Sequence, residues 1–192
     1  MERSSGSSTS RLQAALLAIL VYHDAAWANA NPEADDPEYQ PDGPRIYSQL
    51  GHLVMLVDRR VLHGSPGPSM LVAWKSHACP RVCRSTFAAE TMAALEGWED
   101  ALAFRAMMSG MFSRHGVFEG EARRLMPIVS ITDCKSVYDA VHRIAGPRAP
   151  SEKRLIIDLA ALRQIIAAEG AIWGGALKGR KLLAWAPTTS QL

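Results

Sequence analysis

Three acidic residues carry the clearest chemical signal in this chain: Asp24, Glu90 and Asp133. Carboxylates that converge on one point repel each other unless a cation lies between them, and their hard oxygens suit Mg²⁺ or Mn²⁺. Two such ions held about 3.5–4 Å apart are a standard arrangement for hydrolysing a phosphodiester. Each acid taken alone is more often a cap or turn residue. If all three meet, they predict a two-metal site.

Two predicted strands must position the two aspartates. An apolar run at residues 15–22 predicts a buried strand that delivers Asp24 to its end, and a β-branched run at 128–132 ends directly before Asp133. If these are parallel neighbours, both strand ends open on the same edge of the sheet. A helix crossing that edge can add a third carboxylate.

A long helix is predicted to supply that third carboxylate. Residues 84–96 begin a block of strong helix formers that continues to about Met108, with Ser85 or Thr86 as the N-terminal cap. Glu90 is expected in the first turn, where the helix dipole favours the ionised carboxylate. The simplest alternative is that Glu90 only complements this dipole.

The remaining pattern predicts the order β-β-β-α-β-α-α-β. The other predicted elements are strands at 47–57, 70–75 and 181–185, and helices at 135–141 and from 151–154 to a stop at Gly170. Strands followed by strand–helix alternation predict an α/β fold. We expect a mixed five-stranded sheet, three antiparallel strands and then parallel strands, with helices packed on it.

Composition indicates one globular domain that resides in a reducing cellular compartment. The chain has 192 residues, 48% of them apolar, and a formal net charge of +2, so bulk charge does not indicate a nucleic-acid binder. Three cysteines argue against a disulfide framework and for an intracellular location. Cys79 and Cys83 lack a second Cys/His pair at metal spacing, so zinc is not expected.

Two segments are predicted to lie outside the regular structure. Residues 1–14 are Ser-rich and predicted to be disordered, and Asn31–Pro44 is predicted to be an exposed loop.

The apolar run also has the build of a secretory signal. Arg11 precedes it, and Ala-x-Ala sites near Ala28 follow it. The alternative to a central strand is therefore a secreted α/β protein, and cleavage near Ala28 would discard Asp24. The run is too short to span a membrane as a helix.

Five motifs in order resemble the ribonuclease H domain of Ty1/copia-type retrotransposon polyproteins. The matching segments are Tyr22–Ala28, Ser48–Gly51 with Ala73–Ser76, Arg84–Glu90, Thr132–Ser136 and Trp185–Leu192. Lys153–Asp158 occupies the place of that family's Lys-His-Ile segment. The resemblance spans about Leu16 to Leu192, and it departs at Cys134-Lys135, which replaces the usual Asn.

The resemblance implies a ribonuclease H-like fold that hydrolyses the RNA strand of an RNA–DNA hybrid with two Mg²⁺ (or Mn²⁺) ions. Asp24 would bridge the ions, and Glu90 and Asp133 would each complete one coordination sphere. The implied partners are the hybrid and the reverse transcriptase portion of a polyprotein, with no membrane. The residues beside the motifs that we expect to contact phosphates are Arg84, Lys135 and Arg154.

Other motif neighbours are expected to be structural. Trp27 and Trp74 are predicted to pack in the core or on the sheet, and His23 is predicted to be a hydrogen-bonded polar residue next to the site.

The resemblance is weakest at its end. In the family a fourth acid follows the final Gln-Leu-Ala, whereas this sequence ends at Leu192, so residues 15–192 are expected to form the domain without its final helix. Weaker metal binding and slower turnover would follow. The alternative is a catalytically inactive ribonuclease H-like module that binds nucleic acid or a polyprotein neighbour.

Overall fold

The computed structural model describes residues 16–30, 47–112, 124–143, 152–177 and 181–187. The Ser-rich residues 1–14 and the loop predicted at Asn31–Pro44 lie outside them. The strands are β1 (Leu17–Ala30), β2 (Tyr47–Asp58), β3 (Ser69–Ala78), β4 (Ile128–Thr132) and β5 (Leu183–Trp185). The helices are α1 (Thr86–Phe112), α2 (Lys135–His142) and α3 (Lys153–Trp173), and a 3₁₀ helix (Arg59–His63) follows β2.

The five strands form one sheet in the order β3-β2-β1-β4-β5. β1 pairs antiparallel with β2, and β2 pairs antiparallel with β3. β4 runs parallel to both β1 and β5. The predicted α/β class, the mixed five-stranded sheet and the parallel pairing of the first and fourth strands are therefore confirmed.

The first strand is longer than the sequence predicts, because it has a different partner on each side. Its parallel pairing with β4 reaches only Tyr22 opposite Ile131. Its antiparallel pairing with β2 continues to Ala30, so Asp24 lies inside β1, opposite Gly51, instead of at its end. Asp24 is still just beyond the parallel pairing, which keeps it close to the end of β4.

Helix α1 covers one face of the sheet, against β1, β2 and β4, and α2 and α3 pack against α1. The approach is closest at Gly97, where a Cβ atom would lie 2.9 Å from Val21 Cγ1 and 3.3 Å from His52 Cβ. One residue further along the helix, the buried Trp98 Nε1 donates a 2.9 Å hydrogen bond to Ser130 Oγ of β4. Glycine and this hydrogen bond together fix α1 over the centre of the sheet.

The sequence predicts that helix α3 stops at Gly170, but the helix continues to Trp173. A glycine inside a helix costs only about 1 kcal/mol. The last turn of the helix, which follows Gly170, buries Trp173 in the core. The Gly174 N–H donates a hydrogen bond to the Gly170 carbonyl. Burial of one large aromatic side chain outweighs the glycine penalty.

The face of the sheet opposite α1 carries a cross-strand row of larger side chains. Tyr22 lies opposite both Leu53 and Ile131, and Leu53 lies opposite Trp74. Leu53 and Trp74 are 42% and 68% exposed, so this face remains partly open to solvent. Among the helices in the described ranges, none is both long and apolar enough to cross a membrane.

Candidate metal centre

Asp24 reaches the site from the central strand. Its Oδ1 accepts a 2.8 Å hydrogen bond from the N–H of Ala25, the next residue. Ala25 is buried in a small apolar cluster with Ala89 and Ala93 of α1. The hydrogen bond therefore holds the Asp24 carboxylate beside the start of α1, while the side chain stays open to solvent.

Glu90 reaches the site from α1, which begins as predicted with a serine cap. Ser85 Oγ accepts a 3.2 Å hydrogen bond from the Ala88 N–H. Thr86 is the first helical residue, so Glu90 lies in the second turn and no acidic residue lies in the first. The predicted first-turn position is wrong by one turn, and the dipole contribution weakens over that distance.

Asp133 reaches the site from the turn between β4 and α2. The turn is shaped by Thr132 Oγ1, which accepts a 3.1 Å hydrogen bond from the Cys134 N–H. The Asp133 carbonyl accepts a 3.1 Å bond from Trp185 Nε1, which ties the turn to β5. Backbone contacts on both sides therefore fix where this residue sits.

The structure brings all three predicted acids together. One carboxylate oxygen from each of Asp24, Glu90 and Asp133 lies within 4.8 Å of the others. In the described part of the chain, this is the one group of three or more His, Cys, Asp or Glu side chains close enough to share an ion. The convergence expected from strand order and helix position is present.

Electrostatics at the site differ from the sequence prediction that Glu90 ionises easily. Burial, and to a smaller extent the charges of Asp24 and Asp133, raise the pKa of Glu90 from its ordinary value of 4.5 to about 8. Only 5% of the residue is exposed. The helix dipole is too distant to offset this penalty, so without a cation Glu90 holds a proton at neutral pH.

The donor set fits a hard divalent cation. Glu90 Oε2 is buried and has no hydrogen-bond partner among the described residues. A buried carboxylate oxygen without a partner is costly, and a bound cation removes that cost. Three carboxylates, one of them with an unsatisfied oxygen, are ligands that Mg²⁺ and Mn²⁺ favour over softer metals.

His23 lines the same cleft as Asp24 and Asp133, but it is not the hydrogen-bonded polar residue that the sequence predicted. It is 4% exposed, and neither ring nitrogen has a hydrogen-bond partner within the described ranges. Burial, together with the neighbouring His52, lowers the pKa of His23 to about 3, so the ring is neutral. His52 in turn contacts Asp100 Oδ2 through Nε2 at 2.7 Å.

Trp74, predicted to pack in the core or on the sheet, lies on the sheet opposite Leu53. Its ring is 68% exposed and lines a cleft of about 770 Å³ with Asp24, Asp133 and Lys75, which the sequence did not predict. This exposure depends on which face of the sheet the helices cover and is not visible in local sequence. Trp27 is 45% exposed and donates through Nε1 to the Cys83 carbonyl at 3.1 Å.

The three predicted phosphate-contact residues fall into two places. Arg84 and Arg154 line one groove of about 860 Å³, together with Arg81 and Lys153. Lys135 is not among the residues that line this groove. It starts α2, where its Nζ is 3.1 Å from Asp139 Oδ1 and 5.6 Å from the centroid of a Trp185 ring.

Comparisons of the chain with protein-family models, with curated proteins and with solved structures find no match.

Metal binding is expected to raise the melting temperature of the protein. At about ten times the dissociation constant, Mg²⁺ or Mn²⁺ should add about 1.4 kcal/mol, or about 3–6 °C. Asp24→Asn should lose this shift, whereas Asp139→Asn, at a half-buried acid outside the site, should retain it. Thermal denaturation followed by circular dichroism measures the shift. An equal shift in Asp24→Asn would place the ion elsewhere.

Proposed function

We propose that this chain is a metal-dependent nuclease that hydrolyses the RNA strand of RNA–DNA hybrids. The observation that carries the proposal is the convergence of the Asp24, Glu90 and Asp133 carboxylates, within 4.8 Å, beside a cleft open to solvent. The resemblance of five ordered motifs to Ty1/copia-type ribonuclease H domains supports the choice of substrate. The alternative of an inactive nucleic-acid-binding module is an outcome of the test below.

In the proposed mechanism, the three carboxylates would hold one or two Mg²⁺ or Mn²⁺ ions. When bound, such ions generate hydroxide from water and stabilise charge at the leaving oxygen. Glu90 would release its proton to solvent on binding an ion, because the cation would offset the burial and repulsion that raise its pKa. The Ala25 N–H and the backbone contacts of the Asp133 turn keep the other two carboxylates in place.

Substrate contacts are proposed for three basic residues and for two residues of the cleft. A hybrid is recognised through its backbone shape and 2′-hydroxyls, not through base edges. Arg84 and Arg154 supply positive charge along one groove, and Lys135 supplies it at the start of α2. Lys75 and the exposed ring of Trp74 lie in the cleft with the aspartates, where a sugar-phosphate backbone could lie against them.

The setting we propose is intracellular, next to the reverse transcriptase portion of a polyprotein. Burial of β1 supports this over secretion. Ala18, Ile19 and Val21 are fully buried between β2 and β4. Signal cleavage near Ala28 would remove the central strand together with Asp24.

The function is tested with an RNA–DNA hybrid labelled on the RNA strand. The purified chain should cut it in the presence of Mn²⁺ or Mg²⁺ and not with a chelator, and it should leave duplex DNA intact. Asp24→Asn, purified in the same way, controls for contaminating ribonuclease. Equal cleavage by both proteins would overturn the proposal, and no cleavage by either, with hybrid binding retained, would favour the inactive module.

A further inference from the structure

Three sulfur atoms form a compact cluster beside the start of α1. Cys79 directly follows β3, Cys83 lies four residues later in the connecting loop, and Met92 lies in the second turn of α1. The two Sγ atoms are 3.6 Å apart, and Met92 Sδ is 3.8 Å from Cys79 Sγ and 3.9 Å from Cys83 Sγ. The sulfurs therefore lie at the corners of a nearly equilateral triangle.

The size of this triangle matches trigonal coordination of a metal ion. The centre of an equilateral triangle with these sides lies about 2.2 Å from each corner, close to the metal–thiolate distance of about 2.3 Å. One ion at the centre would reach all three sulfurs without moving the backbone.

Backbone contacts fix both cysteines of the triangle. The Cys79 N–H donates a 2.7 Å hydrogen bond to the Ser48 carbonyl of β2. The Cys83 carbonyl accepts a 3.1 Å bond from Trp27 Nε1. The third ligand is fixed by the helix itself. The apolar residues packed around the cluster are Ala25, Leu50, Ala89 and Ala93.

The ligand set selects a soft monovalent ion over zinc. Zinc in structural sites takes four ligands from Cys, His or carboxylates. Among the described residues, no His, Asp or Glu lies close enough to both cysteines to act as a further ligand of the same ion. Two thiolates and a thioether in an apolar surround are the donors that Cu(I) prefers, and Cu(I) accepts three ligands.

The cluster has a route to solvent. Cys83 is half-buried and lines the 860 Å³ groove that also contains Arg81. An ion entering through this groove could reach the thiols and would displace their protons on binding.

We propose that Cys79, Cys83 and Met92 form a three-sulfur site for one Cu(I) ion. The sequence does not reveal this site, because its third ligand lies on a different element and is a methionine. The site is separate from the three carboxylates, although Met92 and Glu90 share a turn of α1.

The test is a competition between the purified full chain and a Cu(I) chelator, without oxygen. Wild type is expected to retain one Cu(I) per chain, and X-ray absorption at the copper edge should show three sulfur neighbours. Cys83→Ser should lose the ion. Met92→Leu keeps the apolar volume of the core and should weaken binding by about tenfold or more, with two sulfur neighbours left. Cys134→Ser, at the remaining cysteine, should bind like wild type.

The proposal is overturned if wild type retains no Cu(I) against the chelator, or if Cys83→Ser or Met92→Leu binds as wild type does. It is also overturned if Cys134→Ser lowers binding. Cys79 is fully buried, so a serine there could unfold the protein. The changes at half-buried Cys83 and the volume-conserving change at Met92 avoid that cost. Far-ultraviolet circular dichroism of each variant establishes that it is folded before binding is scored.

Discussion

Glu90→Gln is expected to stabilise the metal-free protein and, at the same time, to remove its proposed nuclease activity. Glutamine has nearly the same shape as glutamate but carries no charge. It therefore ends the repulsion from Asp24 and Asp133, and its amide can donate to them. Hybrid cleavage should fall by about 10³-fold, or about 4 kcal/mol in the activation barrier, because one carboxylate ligand is lost.

The stability gain should depend on pH in a defined direction. The unfolded chain releases the Glu90 proton near pH 4.5, whereas the folded, metal-free protein releases it near 8. Between these values the folded state binds a proton that the unfolded state does not, so stability falls as pH rises. The contribution of protonated Glu90 to wild-type stability is complete below about pH 4.5 and is lost above about pH 8, where wild type buries a charged carboxylate. The gain from Glu90→Gln is therefore absent at the lower pH and largest at the higher pH.

Urea denaturation with a chelator, at about pH 5 and about pH 9, measures this difference. Glu90→Gln should match wild type at the lower pH and exceed it by about 2–4 kcal/mol at the higher pH. Glu99→Gln, at an exposed position on the same helix, should change neither stability nor cleavage. A variant that cuts hybrids at the wild-type rate would exclude Glu90 as a metal ligand. A variant less stable than wild type at about pH 9 would show that the buried charge carries no penalty.

Much of the site could be predicted from sequence because it depends on local patterns and chain topology. The apolar run before Asp24 and the β-branched run before Asp133 predict two strands, and their parallel pairing puts the following residues at one sheet edge. The cap at Ser85 sets the register of α1, and that register determines which way Glu90 points. These steps need no knowledge of how the helices pack.

Packing decides what the sequence could not predict. The ionisation of Glu90 depends on its burial and on its distance from two other carboxylates, and local sequence favoured the opposite result. The exposure of Trp74 depends on which face of the sheet the helices cover. Met92 contacts Cys79 and Cys83 only because the start of α1 packs beside the loop that follows β3.

Arg105 and Glu169 illustrate the same limit in the core, and their removal should have the largest effect on stability. The pair joins α1 to α3 through two hydrogen bonds of 2.7 Å, with side chains only 2% and 1% exposed. Arg105 Nη1 also reaches the Met126 carbonyl at 3.3 Å. In the sequence, each residue reads as an ordinary polar position on a helix.

Arg105→Met is expected to lower the free energy of unfolding by about 3–5 kcal/mol, or about 6–20 °C in melting temperature. The cost arises because Glu169 would remain buried without its partner. Glu169→Leu should cost a similar amount, because Arg105 would then remain buried without its partner. Lys135→Met removes the cation from the exposed pair with Asp139 and should change stability by no more than about 0.5 kcal/mol.

The double variant Arg105→Met/Glu169→Leu separates the cost of an unpaired charge from the value of the pair itself. If the single variants fail because a charge is left buried, the double variant should recover most of the lost stability, since an apolar pair of similar volume avoids desolvation altogether. Urea and thermal denaturation of wild type, the two single variants of this pair and the double variant give the coupling energy directly. Losses that simply add in the double variant would instead mean that each side chain stabilises α1 and α3 through separate contacts, with the ion pair contributing little.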